Sequence, residues 1–207
     1  MADQEPQSER FSDEDATPAR KRPRPGERRL QILQTLASML EQPGTERVTT
    51  ASLAAKIGVS EAALYRHFAS KAQMFEGLID FVDQSVIGLI RQVTDREPAG
   101  PVQASRIVAL LLQFAEKNPG MSRVMIGDAL VLEHERLQER INLLFDKIEA
   151  LLRQSLKGIE SATPTADAQL VASLLVAFMQ GRLQRFARSG FKRLPSEHLQ
   201  AALARIL

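Results

Sequence analysis

Residues 49–71, TTASLAAKIGVSEAALYRHFASK, constrain this chain more than any other stretch, because they fit two short helices joined by a tight turn. Thr49 and Thr50 read as N-cap residues, whose hydroxyls accept from the first free backbone N–H groups of a helix. From Ala51 to Ile57, the apolar Leu53, Ala54 and Ile57 recur at helical spacing on one face. Gly58 ends that helix, since glycine takes the left-handed conformation after a last turn without steric penalty. Ser60 caps again, and Glu61 falls in the next first turn, where the helix macrodipole favours an anion. The second helix is SEAALYRHF. Its Leu64 and Phe68, four apart, share one buried face and leave Ala62, Ala63, Tyr65, Arg66 and His67 largely outward.

Two short helices in this order form a helix-turn-helix, whose second helix enters the major groove of DNA. Small residues at its start let the backbone approach base edges. Tyr65 can donate to a phosphate, and His67 reads as a further DNA contact. Lys71, just past the helix, is a point charge placed for the phosphate backbone. The expected DNA-binding set is Thr49, Thr50, Ser60, Ala62, Ala63, Tyr65, Arg66, His67 and Lys71, with Lys71 and the threonine and tyrosine hydroxyls mainly on phosphates. The plainer alternative is a helical hairpin with a solvated polar face.

Charge distribution favours the DNA reading. The whole chain carries only +2, too little to argue nucleic-acid binding. Residues 1–19 hold six acids and one base, a net −5, whereas residues 20–75 hold ten Lys/Arg and four Glu, a net +6. Positive charge on and beside the helix-turn-helix is the electrostatic footprint of a DNA-binding module.

The rest of the chain organises around that module. Residues 1–24 are poor in apolar side chains, acidic and then basic (Arg20, Lys21, Arg22, Arg24), and read as a disordered tail. The basic end is an arm able to touch phosphates or the minor groove, or simply a solubilising tail. Residues 25–71 form a three-helix DNA-binding domain, in which a first helix with Leu33, Leu36, Ala37 and Leu40 on one face ends at Gln42-Pro43-Gly44. Residues 72–207 read as a second, wholly helical domain for regulation and dimerisation.

Ser70 caps a helix to about Asp95, whose stripe is Phe75, Leu78, Ile79, Val82, Val86, Leu89 and Val93. Phe81 falls outside that stripe, beside Gly77, Ser85 and Gly88. After the break at residues 97–101, IVALLLQF is apolar on nearly every side, as for a helix surrounded by others. A short helix around Met121 to Ile126 precedes a long one over about Asp128–Lys157, with Leu130, Leu137, Leu144 and Leu151 every seven. Residues 158–165 form a loop. The helix over about Thr165–Ser189 carries an apolar stripe wide enough for an inward contact and a partner contact, and Leu174, Phe178 and Leu183 are the dimerisation candidates. A last helix starts near Pro195. The fold class is all-α.

No cysteine is present, which excludes disulfides and thiolate metal sites and fits a reducing cytoplasm. No segment offers the apolar run of about 18 residues that a membrane helix needs, and the acidic N-terminus is unlike a signal peptide. His134-Glu135 begins like a zinc-protease helix, but Gln138 stands where the second histidine belongs. His134 and His198 read as surface residues. No enzyme, metal or cofactor is expected.

The ending YRHFASK, an aromatic-x-x-Phe-x-Ser-Lys pattern, resembles the DNA-binding domain of the TetR family of bacterial transcription regulators. Ala69 stands where that family often has proline. The resemblance covers about Pro25 to the C-terminus. It implies a homodimer on a roughly palindromic duplex site, with the last two long helices of each copy pairing into a four-helix bundle. Within the family, RVTTASLAAKIGVSEAALYRHFASKAQMFEGLIDFVDQSVIGLI, FAEKNPGMSRVMIGDAL and LQERINLLFDKIEALLRQ resemble the nucleoid occlusion factors. Such proteins bind sites across the chromosome and inhibit the division protein FtsZ there. That resemblance implies a cytoplasmic, nucleoid-associated protein with FtsZ as partner.

The expected partner contacts are Phe81, Leu110, Lys117 and Asn118. Phe81 leaves its helix's stripe, Leu110 is one of more apolar residues than a single face needs, and Lys117-Asn118 caps the same helix at an edge. The alternative function is a ligand-released transcriptional repressor. It requires an apolar cavity with a few convergent polar groups in the second domain, where Gln113 and Gln180 are the main polar interruptions.

Overall fold

Apolar residues at helical spacing bury one face of each segment, and the helices assemble around that shared interior. The computed structural model describes residues 26–42, 47–157 and 164–207. The expectations for the N-terminal tail, for the stop at Pro43-Gly44 and for most of the 158–165 loop lie outside the described residues.

The helices are α1 (Glu27–Leu40), α2 (Thr50–Ile57), α3 (Glu61–Tyr65), α4 (Lys71–Thr94), α5 (Pro101–Lys117), α6 (Pro119–Met125), α7 (Glu135–Ser155), α8 (Pro164–Arg188) and α9 (Leu199–Ile206), with a 3-10 turn at Asp128–Leu130. Among the described residues there is no strand. No helix there is long and apolar enough to cross a membrane.

Ile32, Leu36, Ala37 and Leu40 of α1 cover Leu53, Ala54 and Ile57 of α2 and Leu64 and Phe68 at the end of α3, closing the small three-helix unit. α4 then runs from that unit into the second half, packing against α1, α5, α6 and α7. Its buried residues include Met74, Phe75, Leu78, Ile79, Val82, Val86, Ile90 and Val93. The apolar interior is continuous from Ile32 to Leu203 and does not break at residue 71.

Two of the contacts between the halves involve α6. Gly120 of α6 lies against α1 so closely that a Cβ there would overlap the Ala37 carbonyl oxygen. Arg123 of α6 donates to the Leu40 carbonyl at 3.5 Å, where α1 ends.

Three expected elements are shorter than their sequence patterns. The recognition helix is helical only over Glu61–Tyr65, with Arg66 as its C-cap. The long helix expected from Asp128 begins at Glu135, because Gly127 takes a left-handed φ of 76° and the chain turns through the 3-10 segment before His134 caps α7. Leu130 is buried all the same, so the seven-residue leucine period runs across a break in the helix. The last helix begins at Leu199 rather than near Pro195, since His198 takes a left-handed φ of 55° and interrupts a helical path.

Candidate nucleic-acid interface

The geometry of α2 and α3 follows from their caps. Thr49 is extended, and its hydroxyl accepts from Ser52 N–H while the Ser52 side chain returns to the Thr49 N–H, a reciprocal capping box. Gly58 closes α2 at φ 76°, and Val59 N–H reaches back to the Ala54 carbonyl. Ser60 caps α3 by accepting from Ala63 N–H at 3.3 Å. Ser70 caps α4 through Gln73 N–H at 3.2 Å.

Thr50 is a correction. It is the first residue inside α2, not a cap, and its hydroxyl donates to Glu61 Oε2 at 2.6 Å. That bond ties the start of α2 to the first turn of α3 and fixes the angle between them.

Leu64 and Phe68 are buried, while Ala62, Tyr65, Arg66 and His67 stand exposed and Ala63 is half-exposed. Thr49 and Ser60 are exposed as well. Arg29 of α1 is a contributor that sequence reasoning missed. Its guanidinium lies 4.0 Å over the Phe68 ring and donates to the His67 carbonyl at 2.9 Å. It thereby satisfies a carbonyl left free where α3 ends. Ala69 N–H donates to Gln73 Oε1 at 2.8 Å, a bond the proline common at that position in the family lacks the hydrogen to make.

Lys71 is also not the free charge its sequence position suggests. Its ammonium pairs with Glu133 from the segment before α7, and its side chain is only 17% exposed. Glu133 sits 3.9 Å from Arg47 as well.

Of the partner candidates, Phe81 on α4 stays 45% exposed among the described residues. Gly77, expected on the same open side, is instead covered by Leu33 and Phe68. Lys117 is exposed, whereas Leu110 is half-buried and packs against the core. Asn118 joins α5 to α6, its amide donating to the Phe114 carbonyl at 2.7 Å. Another side of α4 is engaged with α7 through Glu76–Arg136, Asp80–Arg140 and Asp83–Lys147.

On α8, Leu174 is 50% exposed and Leu170 more so. Leu170, Leu174, Ala177 and Gly181 make an open apolar stripe, with nothing near the place a Gly181 Cβ would take. Phe178 is half-buried under the Arg182 guanidinium, 4.8 Å from its ring. Leu183 is a second correction: only 2% exposed, it faces inward with Leu175, Met179 and Phe186. The three histidines are exposed. Among the described residues no group of three His, Asp or Glu side chains converges on a metal position.

Two family descriptions match the chain. That of the tetR family of bacterial regulatory proteins covers residues 32–78, and that of a tetracyclin repressor-like, SlmA-like C-terminal domain covers residues 101–205. The chain is 49% identical over 177 residues to the nucleoid occlusion factor SlmA of Idiomarina loihiensis, spanning 84% of this chain and 90% of that protein. It is 48% identical over 173 residues to the protein of the same name from Alteromonas mediterranea, spanning 82% and 89%. In fold it resembles a TetR-like transcriptional regulator from Rhodococcus sp. RHA1, with a TM-score of 0.70 at 19% identity over 89% of this chain and 97% of the other. It also resembles FadR of Bacillus subtilis, solved with stearoyl-CoA, with a TM-score of 0.67 at 13% identity over 86% and 96%.

Proposed function

Because the chain belongs to the TetR family of bacterial regulatory proteins, in its nucleoid occlusion factor SlmA branch, we propose that it is a dimeric DNA-binding protein that blocks FtsZ-driven septum assembly over the chromosome. It acts in the cytoplasm, on the nucleoid. The observation that carries this reading is near-half identity to nucleoid occlusion factors across both halves of the chain.

Each copy presents Thr49, Ser60, Ala62, Ala63, Tyr65, Arg66 and His67 to the duplex, with Lys71 on its phosphate flank. Two copies, joined through Leu170, Leu174 and neighbours on α8 together with α9, address the two halves of a palindromic site. Phe81 and Lys117 lead the partner surface: an exposed aromatic and a cation on adjacent packed helices suit a short segment with apolar and acidic residues. Leu110, half-buried on α5, and Asn118, the C-cap of that helix, complete the partner set.

The ligand-released repressor is the weaker reading. The two glutamines it would call on, Gln113 and Gln180, both point to solvent, so neither converges on an interior ligand.

The decisive experiment measures FtsZ assembly by light scattering, with wild type, Phe81→Ala and Lys117→Asp, each with and without a duplex carrying the site. Both variants are expected to bind DNA normally and lose inhibition. Full inhibition by both variants removes this surface. A wild type without effect on FtsZ, released from DNA by a metabolite, makes the protein a repressor instead.

A further inference from the structure

We propose that Glu133 is a positioning residue for DNA binding: it holds Lys71 in an interdomain ion pair that a DNA phosphate must displace, and so couples the DNA-binding helices to the second half of the chain. The inference rests on the DNA-binding reading above.

Glu133 lies in the short segment between the 3-10 turn and α7, and its side chain is only 9% exposed. Two cations converge on its Oε1, Lys71 Nζ and Arg47 Nε. Both belong to the other half of the molecule and flank the helix-turn-helix, Arg47 two residues before the Thr49 cap and Lys71 immediately after the Ser70 cap. A single carboxylate from the second half therefore neutralises charge at both ends of the DNA-reading unit.

The position of Lys71 makes the carboxylate matter. It is the first residue of α4, where the helix macrodipole disfavours a cation. Its stem crosses the Phe75 ring, with the ammonium 5.5 Å from the centroid, and the side chain is largely removed from solvent. A phosphate approaching Lys71 meets an ammonium already committed to an anion. It must take the ammonium from Glu133 or share it with a like-charged neighbour, and either route lowers the attraction.

Linkage makes the effect reciprocal. If Glu133 weakens DNA binding through Lys71, DNA weakens the hold of Lys71 on Glu133 by the same factor. The segment that loosens leads directly into α7, whose Arg136 and Arg140 pair with Glu76 and Asp80 of α4. Occupancy of the DNA face is thereby felt along the α4–α7 contact.

The test uses the full-length protein and a fluorescent palindromic duplex, selected from random sequence by the wild type. Anisotropy titrations across a range of KCl concentrations compare wild type, Glu133→Gln, Lys71→Ala and the double variant. Glu133→Gln is expected to tighten binding about threefold at low salt, the scale of an ion pair whose attraction is largely offset by desolvation. It is also expected to steepen the salt dependence by about one contact per subunit. Against Lys71→Ala, the same substitution should give a clearly smaller gain, that of freeing the more distant Arg47 alone, which separates an effect through Lys71 from general removal of negative charge.

An unchanged affinity and slope for Glu133→Gln overturns the inference, and so does an equal gain in the Lys71→Ala background. A measurement on the wild type guards against a variant that folds poorly: DNA should speed hydrogen exchange of the amides over residues 131–137, and unaltered or slower exchange there overturns the coupling. A wild type that retains no duplex overturns the DNA-binding reading, and this inference with it. A wild type that binds while Glu133→Gln is silent overturns this inference alone.

Discussion

Arg29 does two things at the end of the recognition helix: it covers the Phe68 ring and bonds the His67 carbonyl. A guanidinium on an aromatic face contributes about 0.5–1 kcal/mol at exposed sites, and a charged bond to a carbonyl adds a comparable net amount once solvent screening is counted. Arg29→Ala is therefore expected to lower stability by about 1 kcal/mol in urea titration. It should weaken DNA binding more than that, because the turn after α3 carries His67 and leads to Lys71. Arg29→Lys should keep the charge yet restore little, since a lysine has no planar face to stack. Equal DNA affinity for wild type and Arg29→Ala would show that Arg29 is not a determinant of the interface. Thr49, Gly58 and Ser60 were legible as caps because capping joins residues three or four apart. Arg29 and Phe68 are 39 positions apart, and no local pattern connects them.

Between α1 and α6, backbone lies close against backbone. The Ala37 carbonyl oxygen occupies the space a Gly120 Cβ would need, and a carbonyl held in a helix cannot swing aside as a side-chain tip can. Gly120→Ala is expected to destabilise by about 2–3 kcal/mol through overpacking. Gly88 on α4 is the control, since nothing lies within 4 Å of its Cβ position. Gly88→Ala should be neutral or stabilise by up to about 1 kcal/mol, as alanine costs less backbone entropy in a helix. Chemical denaturation of the two variants checks both signs, and similar midpoints for the pair would mean that α6 shifts freely on α1. The start of α7 belongs at this scale too. Leucines every seven residues report which positions turn inward, and Leu130 turns inward from a 3-10 turn as well as it would from a helix. Periodicity therefore overran the break that Gly127 and the His134 cap impose.

For the molecule as a whole, α8 decides how two copies join, because its inward and outward stripes lie side by side on one helix. Leu174→Asp is expected to give monomers in sedimentation with unchanged helical circular dichroism, and to bind DNA far more weakly because the avidity of two half-sites is lost. Leu183→Asp should behave differently. It would put a carboxylate into a closed apolar interior, at a cost of several kcal/mol, and the expected outcome is loss of helical signal rather than a folded monomer. A folded, dimeric Leu174→Asp would move the interface elsewhere on the chain.

The sequence by itself determined the helix-turn-helix, the all-α class, the family and most of the inward stripe of α4, where Ile90 rather than the expected Leu89 is buried, because each rests on spacing within one segment or on an extended run of matching residues. It did not determine which of the apolar residues 174, 178 and 183 faces outward, that Thr50 spends its hydroxyl on Glu61, or that Lys71 is held by Glu133. Those outcomes depend on which segments lie against one another, and partners 11 and 62 positions apart leave no periodic trace in the chain. Only the packed structure brings a carboxylate of the second half between two cations of the first.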